Sequence, residues 1–143
     1  MQVKQISVFL ENKSGRLADV TEILGSEGVN IRALSIADTT DFGILRLIVS
    51  DPATAYKALQ EKGFVVSETE VLAVEVPDTP GGLFSVLKLL RSAGINIEYL
   101  YAFVQKASSA ALVVMRVEDC DAAYEVLQAA GVNVLDEKTV YEL

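Results

Sequence analysis

Two short turns carry the residue types that could hold a small charged molecule. They are Asn12-Lys13-Ser14-Gly15 and Asp78-Thr79-Pro80-Gly81, followed by Arg16-Leu17 and Gly82-Leu83 at the start of helical apolar spacing. The first N–H groups of a helix have no intrahelical acceptor, so a turn that delivers the chain into a helix can bind an anion there. Glycine lets that anion approach the backbone. A carboxylate is the natural guest, and the Asp78 carboxylate could meet an accompanying ammonium. A plainer reading makes Asn12 and Asp78 the N-caps, since Asn and Asp lead that preference, with the glycines only shaping the turn. The two readings are compatible. A second polar pair, Asn30 and Asn96, recurs in Gly-x-Asn-Ile, ahead of Ile31 and Ile97. Either amide closes the turn from helix to strand or it hydrogen-bonds a ligand. The residues alone leave both open.

Other chemistry is narrowly bounded. The chain has no histidine, which removes the commonest general base and transition-metal ligand. Cys120 is the single cysteine, so there is no internal disulfide and no CxxC. Neither a Walker-type loop nor a GxGxxG fingerprint occurs. No catalytic residue, metal or cofactor is expected. Twelve basic against 20 acidic residues give a formal net charge of −8, without any basic run. Binding to nucleic acid or an anionic membrane needs Lys and Arg to neutralise phosphate, so neither is expected. Met1 leads directly into a strand pattern without an apolar leader, and no apolar run reaches membrane-spanning length. The expectation is a soluble cytoplasmic protein.

The turns recur because the chain contains itself twice. At an offset of 66 residues, nine identities run from Gly15/Gly81 to Leu34/Leu100; the offset then becomes 68, pairing Tyr56 with Tyr124 and Gly63 with Gly131. The slip places two extra residues in the second copy, in a hairpin. A repeat this long is a whole small domain. The expected domains are 1–70 and 71–143, each of a size at which a lone core is marginal. Alternation of Ile6, Val8 and Leu10 predicts a strand over 3–10, and Leu17, Val20, Ile23 and Leu24 a helix over 16–27. Strands follow at 29–37 and 43–50 around Asp38-Thr39-Thr40-Asp41, then a helix from Asp51-Pro52 to Gly63 and a strand over 64–70. The second copy predicts strand 71–76, helix 81–93, strands 95–104 and 110–117, helix 119–130 and strand 132–140, with strand four of the first copy running on into the second. The order β-α-β-β-α-β, twice, is a ferredoxin-like α+β fold with both helices on one face of an antiparallel sheet.

The third strands are apolar on both faces. Ile44, Ile48, Leu112 and Val114 point away from the helices, and Tyr99, Tyr101 and Phe103 form a further stripe. Ordinary β-propensity explains this. A covered, self-associating face explains it too, and a homodimer or larger assembly is expected from it.

Leu10-Glu11-Asn12-Lys13-Ser14-Gly15-Arg16-Leu17 followed by Gly28-Val29-Asn30-Ile31, and Val76-Pro77-Asp78-Thr79-Pro80-Gly81-Gly82-Leu83 followed by Gly94-Ile95-Asn96-Ile97, resemble the signature of ACT domains. The resemblance covers nearly the whole chain, and the second copy keeps the Pro-Gly that Ser14-Gly15 replaces in the first. It implies a stand-alone, non-catalytic amino-acid sensor or a dissociable regulatory subunit of an amino-acid-metabolism enzyme. Such modules pair side by side into an eight-stranded sheet, as a pseudo-dimer here, with the effector between one module's first turn and the other's second strand. The family's matching positions are Asn12, Gly15, Asp78, Gly81, Asn30 and Asn96. The full candidate ligand-binding set is Asn12, Ser14, Gly15, Arg16, Leu17, Asn30 and Ile31, with Asp78, Pro80, Gly81, Gly82, Leu83, Asn96 and Ile97. Leu10 and Val76 stand where serine-binding members carry histidine, so serine recognition is not implied. The rivals are an acylphosphatase-like hydrolase, which needs an Arg in its phosphate turn where only Arg16 is near, an RNA-recognition module, and a ligand-free structural oligomerisation module.

Overall fold

The computed structural model describes residues 3–38, 41–105 and 110–143. The chain divides into two compact units. One comprises Lys4–Thr69 with Tyr141–Leu143, and the other Glu70–Val140 with Met1–Val3. They are called the N-unit and the C-unit below.

In the N-unit, β1 (Val3–Glu11), α1 (Arg16–Ser26), β2 (Ile31–Asp38), β3 (Phe42–Val49) and α2 (Pro52–Glu61) precede β4 (Val65–Pro77). The strand order is β2-β3-β1-β4, so β2 lies at an edge. β1 and β3 are antiparallel with Leu10 opposite Gly43 and Ile6 opposite Leu47. β2 pairs with β3 from Ile31 opposite Val49 to Asp38 opposite Gly43. Period-2 alternation sends Ile6, Val8 and Leu10 of β1 and Leu45, Leu47 and Val49 of β3 into one core. There they meet Val20 and Leu24 of α1 and Ala55 and Leu59 of α2, spaced at three and four residues as a helical stripe requires. Asp51 caps α2, accepting from the Thr54 backbone N–H at 3.2 Å with Pro52 just inside the helix.

The C-unit repeats the plan with the second part of β4, then α3 (Gly82–Ser92), β5 (Ile97–Ala102), β6 (Ala110–Val117), α4 (Cys120–Ala129), β7 (Val134–Leu135) and α5 (Glu137–Tyr141). β4 pairs with β6 on one side and β7 on the other, and β5 is the edge. Leu72, Val74, Val76, Val113, Met115 and Val117 form the core with Val86 and Leu90 of α3 and Ala123 and Leu127 of α4. Strand four of the first copy and strand one of the second are one 13-residue strand, as expected, and the unit boundary falls within it.

Three expectations are corrected. The strand predicted over 132–140 is only Val134–Leu135, followed by a helical turn. Asp136 ends it, because its carboxylate accepts the Thr139 N–H at 2.8 Å and its carbonyl accepts the Val140 N–H. A side chain that caps the backbone competes directly with a ladder. The outward residues of the third strands and the aromatic stripe are largely covered, with Ile44 and Tyr99 half-buried. Ile48 and Val114 are 0% exposed within the single chain, and Leu112, Tyr101 and Phe103 are also buried. These five give no ground for self-association, being covered already in one chain. Asn12 and Asp78 are not N-caps; Gly15 and Gly81 hold those positions without any side-chain cap. Of the predicted hairpin loops, 38–41 and 105–109, residues 39–40 and 106–109 lie outside the described residues.

Candidate functional site

The N-unit turn is built where β1 runs out at Glu11. The Asn12 N–H donates to the Asp41 carbonyl at 2.8 Å, tying the turn to the start of β3, and the Lys13 N–H donates back to the Glu11 carbonyl at 2.8 Å. Gly15 then takes φ 87° and ψ −11°, the left-handed region that a side chain disfavours. The helical ladder begins with Asp19 N–H donating to Gly15 carbonyl at 2.9 Å. The N–H groups of Leu17 and Ala18 precede it and have no intrahelical acceptor.

A groove of about 260 Å³ lies beside this turn, lined by Leu10, Glu11, Asn12, Lys13, Arg16, Leu17, Ile36 and Gly43. Its charged rim is a pair, Lys13 Nζ standing 2.8 Å from Glu11 Oε2. The hydrogen bond from Lys13, followed by its charge, holds the Glu11 carboxyl below its ordinary value. Arg16 places its guanidinium 4.7 Å over the Phe64 ring and 3.5 Å from the Asp19 carboxylate. The apolar floor is Leu17 and Ile36, both exposed. Ile36 arrives from the edge strand β2, opposite Leu45.

The C-unit turn follows the same path with different side chains. Gly81 has φ 79° and ψ 0°. The Gly82 N–H donates to the Thr79 carbonyl at 2.9 Å, and the Ser85 N–H to the Gly81 carbonyl at 3.0 Å. The Ser85 hydroxyl donates to the Gly82 carbonyl at 2.6 Å. Gly82 packs so tightly that a Cβ would meet the Pro77 carbonyl oxygen at 1.9 Å. A groove of about 270 Å³ opens on the other side of this turn, between Glu75, Pro77 and Ser85 and the Gly131-Val132-Asn133 corner. In the N-unit, Arg16 and Phe64 occupy the positions of Gly82 and Val132.

Of the sequence-predicted set, Asn12, Arg16 and Leu17 line the N-unit groove, with Ser14 and Gly15 in the turn beside it. Asn30 and Ile31 are not brought to it. They lie at the opposite end of β2, where Ile31 pairs with Val49 while Ile36 pairs with Leu45. Asn30 instead closes its own corner, its Oδ1 accepting from the Ile31 N–H at 3.0 Å while its backbone exchanges hydrogen bonds with Ser50. Asn96 and Ile97 line a third groove, of about 510 Å³, with Phe84, Leu87, Lys88 and Arg91 of α3. Asp78, Pro80, Gly81, Gly82 and Leu83 form the C-unit turn and the first residues of α3. The third groove is thus away from both turns. Of these three grooves, the one beside the N-unit turn joins an opposite-charge pair to an open helix start. Glu11, Ile36 and Gly43 were not in the candidate set, and Lys13 entered only as part of the turn. Glu11 and Lys13 could have been found as opposite charges flanking Asn12, whereas Ile36 and Gly43 need the strand register.

Among the described residues no group of three or more His, Cys, Asp or Glu could hold a metal ion. No helix among them is long and apolar enough to cross a membrane.

Two βαββαβ units in tandem, each packing two helices on antiparallel strands, define a ferredoxin-like α+β protein of duplicated design. The chain belongs to the ACT domain pair family, which matches it over residues 1–143. Its fold is that of protein BT0572 from Bacteroides thetaiotaomicron, at 48% identity and a TM-score of 0.94, covering 100% of this chain and 98% of the other. The ligand-free regulatory subunit of aspartate kinase from Thermus thermophilus shares the fold at 20% identity and a TM-score of 0.63, over 89% of this chain and 91% of that one. The corresponding subunit from Thermus flavus is similar at 19% identity, a TM-score of 0.61 and coverage of 90% and 92%. No curated protein matches.

Proposed function

We propose that this chain is a non-catalytic regulatory protein that binds a free amino acid at the N-unit turn. One observation carries the reading. A free amino acid presents a carboxylate and an ammonium on one carbon, so its site needs opposite charges a few ångströms apart. Glu11 and Lys13 supply them 2.8 Å apart, next to the open N–H groups of α1. The carboxylate would lie against the N–H groups of Leu17 and Ala18 with Lys13 beside it. The ammonium would take Glu11. Leu17 and Ile36 would receive the side chain, which favours an aliphatic amino acid. Solved proteins of this fold include regulatory subunits of aspartate kinase, and by that analogy the partner is an enzyme of amino-acid metabolism. Ligand and enzyme would influence each other through linkage.

A thermal-shift screen of the twenty amino acids, followed by calorimetry, tests it. A ligand that binds only the folded state adds about 2.7 kcal/mol at 100 times its Kd. An aliphatic amino acid should stabilise the protein and lose its effect in Glu11→Gln. If no amino acid shifts the transition, the ligand reading fails and the structural-module rival stands. The acylphosphatase rival predicts turnover of acyl phosphates. The Arg16 guanidinium, committed to Phe64 and Asp19, argues against it.

A further inference from the structure

The exposed faces of α1 and α3 are equivalent by the repeat yet opposite in character. On α3, Phe84, Lys88 and Arg91 follow one another at helical spacing, and the helix contains no acidic residue. Phe84 is 55% exposed, with the Arg91 guanidinium 5.5 Å above its ring. These side chains border the groove of about 510 Å³. At the same three positions α1 carries Ala18, Glu22 and Gly25. Nothing lies within 4 Å of where a Gly25 side chain would begin. Among the described residues neither Glu22 nor Lys88 makes an ion pair.

We propose that the α3 face of one copy docks on the α1 face of a second copy. Large meets small and basic meets acidic. In an antiparallel approach centred on Lys88 and Glu22, Phe84 reaches Gly25 one turn away, and Arg91 reaches Ala18 and Asp19 one turn the other way. The alternatives are repulsive. Two α3 faces would oppose Lys88 and Arg91 to themselves, and two α1 faces would oppose Asp19 and Glu22, and like charges brought together at an interface are a strong specificity barrier. On a chain of net charge −8 the α3 stripe is a local basic spot suited to this chain's own acidic surface. The contact goes beyond the amino-acid reading and forms without any ligand.

Sedimentation analysis of the full chain without amino acids reads the association directly. The wild type should exceed the 15.4 kDa chain mass, as a dimer or longer assembly, and should dissociate as salt rises. Gly25→Gln should weaken association by about tenfold or more while the monomer keeps its helix, since glutamine is the better helix former. Lys88→Glu and Glu22→Lys should each weaken it similarly, and the double reversal Glu22→Lys/Lys88→Glu should recover most of the loss. A wild type that stays monomeric at every concentration overturns the proposal. So does association indifferent to Gly25→Gln, or a double reversal no better than either single change. None of these outcomes bears on calorimetric amino-acid binding, so the two proposals fail separately.

Discussion

The two β-strand-to-helix turns start from one plan and end as different objects. Both enter their helix through a left-handed glycine, Gly15 at φ 87° and Gly81 at φ 79°. The next residue separates them. In the N-unit it is Arg16, which lies over Phe64 and closes that side of the turn, leaving a groove on the Leu17–Ile36 side. In the C-unit it is Gly82, pressed against the Pro77 carbonyl, with Val132 in place of Phe64 and the groove on the other side. The groove beside each turn therefore has different walls and different charges, and only that of the N-unit is lined by the first residues of the helix. Duplication kept the backbone device and changed which wall is open, so a ligand at one turn need not suit the other.

The largest test of this contrast is Gly82→Ala. With a backbone oxygen 1.9 Å from the new carbon, the turn must move, at a cost of about 3 kcal/mol in urea unfolding. Arg16→Ala at the equivalent position should cost only about 0.5–1 kcal/mol, the scale of a partly exposed cation–π contact. Equal costs would mean that the two turns are not packed differently.

Ligand binding comes next. Glu11→Gln should weaken amino-acid binding by about 1.5–3 kcal/mol, the scale of a charge-assisted hydrogen bond, while Asp78→Asn should leave the N-unit site unchanged. Calorimetry on both variants decides it, and the reverse pattern would move the site to the C-unit turn.

Gly15→Ala and Gly81→Ala sharpen the comparison from the other direction. Both glycines are left-handed and nothing lies within 4 Å of either added carbon. Each change should therefore cost the same, about 1–2 kcal/mol of backbone strain. Unequal losses would place part of the asymmetry in the glycines themselves.

The smallest effect is a titration. Asp51 accepts from both the N–H and the hydroxyl of Thr54, the hydroxyl at 2.6 Å, and the hydroxyl bond is the leading cause that holds its pKa below 3.8. A carboxyl depressed on folding contributes stability above its unfolded value and loses it as pH falls through its folded value. Thr54→Ala should move the Asp51 titration upward and raise the pH at which its cap is lost, as NMR titration of the carboxyl would record.

Much of this molecule was legible in the chain. The repeat, the order of elements and the inward faces of β1 and β3 follow from alternation and spacing that depend on near neighbours alone. What escaped depends on partners distant in sequence or on competing local bonds. Ile48, Val114 and Tyr101 are buried although their strand pattern reads as a second face, because period 2 states which residues share a face and not whether that face is covered. Val132 and Val134 promise a strand that Asp136 then interrupts by capping. Asn12 has the residue type of a cap, but the chain needs three more residues, the last of them a glycine, before it turns helical. At the site, Asn12, Arg16 and Leu17 could be read from one contiguous motif, whereas Ile36 enters only through β-sheet register.

The close approach at Gly82 has a historical consequence. Two freshly duplicated copies are free to exchange residues at this position in either direction. With the Pro77 carbonyl oxygen 1.9 Å from where a side chain would begin, an arginine at 82 requires the turn to move first, a backbone cost that the change from arginine to glycine at 16 does not carry. The barrier is one-sided, so substitutions at the two equivalent positions are not interchangeable and each half answers to its own packing.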